Sequence, residues 1–205
     1  MKIILHNASK KYNREWIVRN LVYTFNTGNA YAVTGPNGSG KSTLLQLIAG
    51  SIQPSTGNIS FEDGEKKIEP ENIHRHLALA APYLELIEEM TAAELLQFHN
   101  TFKPLMKGLT VSEILEEAEL GNAAHKQVRF YSSGMKQRLK LAQAVFSDVP
   151  VLLLDEPCTN LDVKGFILYN HLIKKYCAQK IVIVCSNDPN EYDFCTGRIN
   201  IMDYK

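Results

Sequence analysis

The sequence predicts an α/β protein, a covered sheet with a helical lobe inserted in it, and three observations predict this. Apolar, β-rich segments recur at IILH, LVYTF, YAVTG, NISFE, HLALA, VLLLD and IVIVC. Helix-like stretches separate them, the pattern of a sheet covered on its faces. Between Thr91 and Phe146 the pattern changes to helix after helix, so a helical subdomain at about 91–146 is expected within a single unit spanning 1–205.

Taken in order, IILH and LVYTF are the first strands. YAVTG is a strand that runs through a glycine-rich turn into the amphipathic stretch KSTLLQLIAG, and NISFE and HLALA follow. The lobe contains TAAELLQFHNTFK, then TVSEILEEAEL, then a segment opening at Ser133 with Met135, Leu139, Ala142 and Phe146 on one side. VLLLD returns to the sheet. VKGFILYNHLIKKY is a helix for which Asp162 is a suitable N-cap. IVIVC and a short last strand near IN complete the pattern.

Composition narrows the function. The 22 Lys and Arg balance 22 Asp and Glu, which removes any broad electrostatic reason to expect nucleic acid or anionic lipid as the principal partner. With 45% apolar and 21% charged residues the composition is globular, and the longest apolar runs are too short to cross a bilayer. MKIILHNASKKYN has neither the long apolar segment nor the cleavage site of a secretory signal, so the expected location is cytoplasmic. Cys158, Cys177, Cys185 and Cys195 form no CxxC pair, and reduced, structural thiols are expected.

The strongest local signal is YAVTGPNGSGKSTLLQLIAG. Gly35, Gly40, Lys41 and Ser42 satisfy GxxxxGK[ST] between a strand and a helix. Such a loop, here Gly35, Pro36, Asn37, Gly38, Ser39, Gly40, Lys41, Ser42 and Thr43, turns backbone amides and a helix N-terminus toward phosphate oxygens. Lys41 reaches the β and γ phosphates, and the Ser42 hydroxyl ligates Mg²⁺. A nucleoside polyphosphate is the expected ligand. Downstream, VLLLDEP ends an apolar strand in Asp155 and Glu156. Beside a phosphate loop, Asp155 suits the Mg²⁺ shell and Glu156 suits orienting or deprotonating the attacking water.

GPNGSGKST, YSSGMKQR and LLLDEPCTNLD, in this order and at about these distances, resemble the Walker A, signature and Walker B motifs of an ABC-type ATPase, the ATP-binding subunit of an ABC transporter. The resemblance covers nearly the whole chain. It implies a P-loop NTPase core with an antiparallel β subdomain and an inserted α-helical subdomain, with ATP and Mg²⁺ as cofactors. It further implies a head-to-tail dimer in which Ser132, Ser133, Gly134 and Asp162 of one copy act in trans on the nucleotide held by the other. The local chemistry of YSSG says only that a Ser-capped helix start favours an anion. Tyr12, 23 residues before Gly35, matches the family's adenine-stacking aromatic, with Trp16 a rival for that place.

Several positions depart from the family pattern. Ser133 stands where the family has a glycine, and Met135 where it has glutamine. Asn187, after IVIVCS, stands where the family has a switch histidine that contacts the γ-phosphate. Asparagine donates a hydrogen bond but carries no titrating proton, so slower hydrolysis is expected. No glutamine occurs between Gln53 and Gln97; Ala81, Pro82 and Tyr83 occupy the neighbourhood of the family's Mg²⁺-reaching glutamine, so coupling there is expected to use backbone, water or a carboxylate such as Glu85. PYLELIEEMT suits a docking groove.

The function expected from this resemblance is ATP hydrolysis by a pair of subunits, expected to be a homodimer, docked at the cytoplasmic face of the membrane to separate permease subunits. The short lobe and compact ending resemble export-type subunits, including those of heme-export systems. A nucleotide-gated interaction switch with little turnover and a soluble non-transport ABC ATPase are the alternatives.

Overall fold

The computed structural model describes residues 1–205. Strands β1 (Lys2–Tyr12), β2 (Glu15–Asn26), β4 (Thr56–Asp63) and β5 (Lys66–Ile68) form an antiparallel sheet in the order β2-β1-β4-β5. Ile3, Leu5 and Ala8 of β1 and Val18, Leu21 and Phe25 of β2 are its buried residues. The period-2 pattern does not run unbroken. The β1–β2 register shifts between Leu5 and Ala8 and again before Lys10, and Asn7 and Asn20 take left-handed φ values of 49° and 52°, a conformation that asparagine tolerates better than most residues. Ser9 Oγ accepts the Asn20 amide at 2.8 Å and pins the irregularity. This is why β1 extends to Tyr12, well past IILH.

The second sheet is parallel. It contains β3 (Ala30–Thr34), β6 (Leu77–Ala80), β7 (Val151–Asp155), β8 (Ile181–Cys185) and β9 (Gly197–Asn200) in the order β6-β7-β8-β3-β9. Every residue of β7 and β8 is buried, as expected of strands covered on both faces. Val151 and Leu153 point to one apolar core, shared with the antiparallel sheet and α1 (Lys41–Ile48). Leu152 and Leu154 point to the other, shared with α2 (Ala92–Phe102), α3 (Val111–Glu117), α4 (Ser133–Val145) and α5 (Val163–Tyr176). The inserted helices therefore pack on the parallel sheet and share its core.

Local chemistry accounts for the helix starts. Thr91 with Glu94, and Thr110 with Glu113, form capping boxes at α2 and α3. Ser132 caps α4 and Asp162 caps α5. Along α4, Leu139, Ala142 and Phe146 are fully buried and Met135 is partly buried against the same core, the stripe expected from its spacing. All four cysteines are free thiols. Burial pushes Cys177 up to about 11 and Cys195 to about 12, and holds Cys158 and Cys185 higher still, so the reactive thiolate is scarce at neutral pH.

Pairing of Val33 with Cys185 and of Asp155 with Cys185 brings the carboxyl ends of β3, β7 and β8 to one edge. The residues that follow them, Gly35, Glu156 and Ser186, emerge together. Outside the carboxyl ends of parallel strands is where open α/β sheets bind ligands.

Candidate nucleotide site

The loop between β3 and α1 wraps the Lys41 ammonium. Lys41 is 5% exposed, and its Nζ donates to Gly35 O at 2.7 Å, Pro36 O at 3.3 Å and Asn187 Oδ1 at 3.3 Å. All three donors of the ammonium are thereby directed. Gly40 has φ 103°, and a Cβ there would collide with Ile17 of β2, so only glycine fits the turn into the helix. α1 starts without a side-chain cap, which contrasts with α2 to α5 and leaves its first amides without a side-chain acceptor, the state in which a helix start can receive an anion. Ser39 Oγ is buried in the loop with no partner, and Pro36, Asn37 and Gly38 are exposed around it. Ser42 and Thr43 lie half-buried in the first turn.

Asp155 ends β7 at 3% exposure. Four buried aliphatics precede it and together contribute roughly 6–12 kcal/mol, enough to offset the several kcal/mol that an interior carboxylate costs. Burial raises its pKa, and the neighbouring Glu156 adds to the rise, while a hydrogen bond from Ser42 and the charge of Lys41 oppose it. Ser42 and Asp155 are thus one hard hydroxyl and one hard carboxylate side by side. They fit Mg²⁺, which takes one or two protein oxygens and completes its shell with phosphate and water. No cluster of three His, Cys, Asp or Glu side chains surrounds them, so the donor set is not an all-protein cage.

Glu156 is half-buried and adopts φ 43°, a left-handed conformation that costs a non-glycine residue roughly 1–2 kcal/mol. Its amide donates to Cys185 O at 2.9 Å. Strain of this kind concentrates at sites whose geometry matters. Across the cradle, Asn187 accepts from Lys41 and donates from Nδ2 to Asn37 Oδ1 at 2.7 Å. Its side chain therefore faces the phosphate loop, and the turn that follows is capped by Asp188, whose Oδ1 accepts the Asn190 amide at 3.0 Å.

The signature segment does not join this cluster. Ser132, Ser133, Gly134 and Asp162 line a separate surface concavity of about 350 Å³ with Arg138 and Asn160. Ser132 and Ser133 are exposed. Ser132 Oγ accepts the Met135 amide at 3.2 Å, so it is a helix cap whose proton remains free to donate. Gly134 approaches Asn160 O, from which a Cβ would stand 3.2 Å. Asp162 accepts the Gly165 amide at 2.8 Å and lies 3.7 Å from Arg138.

Tyr12 ends β1 opposite Glu15 and is 47% exposed, with Lys10 Nζ 5.2 Å from its ring centroid. Its hairpin borders the loop through Ile17, which abuts Gly40. Trp16 is partly buried, and Lys11 and Arg19 lie 5.3 and 5.6 Å from its ring. Tyr12 thus has the freer ring. At the place of the missing glutamine, Tyr83 lies against Gln46 of α1 and near Asp155; burial and that charge raise its pKa, and Gln46 opposes the rise. Glu85 instead neighbours Lys140. Gln46 was not legible as part of the site because its position in α1 looks like an ordinary polar helix face.

The model of the ABC transporter family matches residues 18–159, well over half of the chain. The ABC transporter ATP-binding protein YxlF of Bacillus subtilis is 38% identical over 164 residues, 78% of this chain and 54% of that protein; the chain spans about half of YxlF. The cytochrome c biogenesis ATP-binding export protein CcmA of Xylella fastidiosa is 36% identical over 168 residues, 82% of this chain and 75% of that protein. Among solved structures, a dimeric post-hydrolysis state of the ATP-binding cassette MJ0796 bound to ADP and Pi superposes with TM-score 0.83 at 26% identity, covering 97% of this chain and 94% of that one. The chain therefore belongs to the ABC transporter family and is an ABC-type ATPase.

Proposed function

We propose that this ATPase drives transport through separate membrane-spanning subunits, and that two copies close head to tail on two ATP molecules. The observation that carries this reading is the division of the site. The Lys41 cradle and the exposed Ser132 turn are both built to receive an anion, yet they belong to different concavities of one chain. A second copy supplies the turn that the first copy's cradle lacks. That the MJ0796 cassette bound to ADP and Pi is dimeric supports the pairing of two copies.

Within each cradle, the amides after Gly35 and the ammonium of Lys41 hold the β and γ phosphates, and phosphate oxygens exchange with the carbonyls of Gly35 and Pro36. Ser42 and Asp155 would hold Mg²⁺, which supplies charge neutralisation at the phosphates. Glu156 orients the attacking water and takes its proton. Asn187 holds Asn37 and Lys41 in register and offers an amide donor near the γ-phosphate. Tyr12 stacks on adenine. Ser132, Ser133 and Gly134 present a hydroxyl and helix-start amides from the opposite copy, and Asp162 carries the contact toward its α5.

Docking uses the 82–90 loop, where Tyr83, Leu84 and Ile87 are exposed, together with Phe98 and Phe102 of α2. The loop is tied to α4 by Lys140 Nζ, which donates to Pro82 O at 2.9 Å, and by an ion pair between Lys136 and Glu88. A push on the loop thereby reaches the Ser132 turn. No helix is long and apolar enough to cross a membrane. In this reading the spanning subunits are other chains, and the chain sits peripherally on the cytoplasmic face. Relatives named as export proteins, such as CcmA, support outward transport. Retention of Glu156 favours turnover over a non-hydrolysing switch. Purification from detergent-solubilised membranes is expected to bring a multi-span permease with the chain; recovery with ribosomes or DNA instead would contradict the transport reading.

A further inference from the structure

One buried carboxylate near the site has no role in this mechanism. Glu191 ends the short helical turn Pro189–Glu191 that follows the switch loop, and it is 4% exposed. Its Oε1 accepts the backbone amide of Cys158 at 2.7 Å, while Oε2 is buried without a partner. Its carbonyl accepts the Tyr169 hydroxyl at 2.8 Å, which anchors the turn to α5. An apolar side chain would leave the buried Cys158 amide without its acceptor, so the side chain at this position ties two segments together as well as filling space.

The position of the Cys158 amide is informative. It lies two residues after Glu156 and four before Asp162, in a turn where the Thr159 amide also donates to Glu156 O at 3.1 Å. On the other side, the Glu191 amide donates to Asp188 O at 3.0 Å, and the Asp188 amide to Ser186 Oγ at 2.9 Å. A short hydrogen-bonded path therefore runs from Ser186 and Asp188, the residues on either side of Asn187, through Glu191 to the segment carrying Glu156 and Asp162.

We propose that Glu191 is a positioning residue that clamps the segment after Glu156 to the switch loop, so that Glu156, Asp162 and Asn187 keep one mutual geometry. This rests on the reading of Glu156 as the residue that activates water. Burial raises the Glu191 pKa, with Asp188 and Glu156 adding to the rise, while the neighbouring Ser186 hydroxyl and the Cys158 amide oppose it. A neutral side chain of equal length that still accepts from the Cys158 amide can therefore take its place.

The test is steady-state ATP hydrolysis by the full chain with Glu191→Ala, Glu191→Asp and Glu191→Gln, alongside Glu156→Gln and a thermal melt of each. Loss of positioning predicts kcat about tenfold or more lower for the Ala and Asp variants, with KM for ATP within about twofold, and the Gln variant within about threefold of the parent. A purely structural carboxylate would lower the melting temperature and leave kcat per folded molecule unchanged, and that result overturns the proposal. So does a Gln variant that falls as far as the Ala variant. If Glu156→Gln abolishes turnover while the Ala and Asp variants of Glu191 keep it, only this inference fails; if Glu156→Gln itself retains turnover, the hydrolysis reading fails.

Discussion

Glu156→Gln is expected to lower phosphate release at saturating ATP by about 10²–10⁴-fold while ATP affinity changes by no more than about twofold. The carboxylate stands beside the buried Asp155 at the common edge of β7 and β8, and its backbone is held at φ 43° with its amide on Cys185 O. Glutamine keeps the length and one acceptor oxygen but cannot take the water's proton. Binding, by contrast, depends on the cradle around Lys41, which the substitution does not touch. Phosphate release and equilibrium ATP binding measured on the same preparation separate the two effects. Turnover within a few-fold of the parent would place the base elsewhere.

Lys41→Ala is expected to weaken binding of ATP with Mg²⁺ by about 10–200-fold, the worth of one hydrogen bond to a charged group, and to remove measurable hydrolysis. Lys41 is buried and spans Gly35 O, Pro36 O and Asn187 Oδ1. Its loss takes away the positive charge facing the phosphates and also one of the two hydrogen bonds between the loop and the switch residue, leaving that from Asn187 to Asn37. Lys41→Arg should fail as well, because a planar guanidinium does not match three convergent acceptors around a point charge. Titration calorimetry with ATP and Mg²⁺ checks this, and unchanged affinity would exclude Lys41 from the phosphate site.

Much of this was legible in the sequence because the decisive elements are extreme. VLLL and IVIVC are buried on both faces and are apolar throughout, and GxxxxGK[ST] between a strand and a helix has few other uses. β5 was not legible, since the three residues of KKI show no alternation and pair only through β4. Contacts between distant segments were also hidden. Asn187 reads locally as a turn former, and only the fold brings its amide to Asn37, 150 residues away. Glu191 reads as a solvated turn residue until α5 and the Cys158 turn close over it. The capped start at Ser132 was legible as a cap, but its exposure in a concavity apart from the cradle depends on how α4 packs.

The central claim is that a triphosphate is held between two copies of this chain. Sedimentation of Glu156→Gln with and without ATP and Mg²⁺ tests it most directly, with Ser132→Arg in the same background as control. The account predicts a monomer that becomes a dimer on adding ATP, and a Ser132→Arg variant that binds ATP yet stays monomeric. A chain that binds ATP and remains monomeric, or a Ser132→Arg variant that dimerises as readily as its parent, would contradict it.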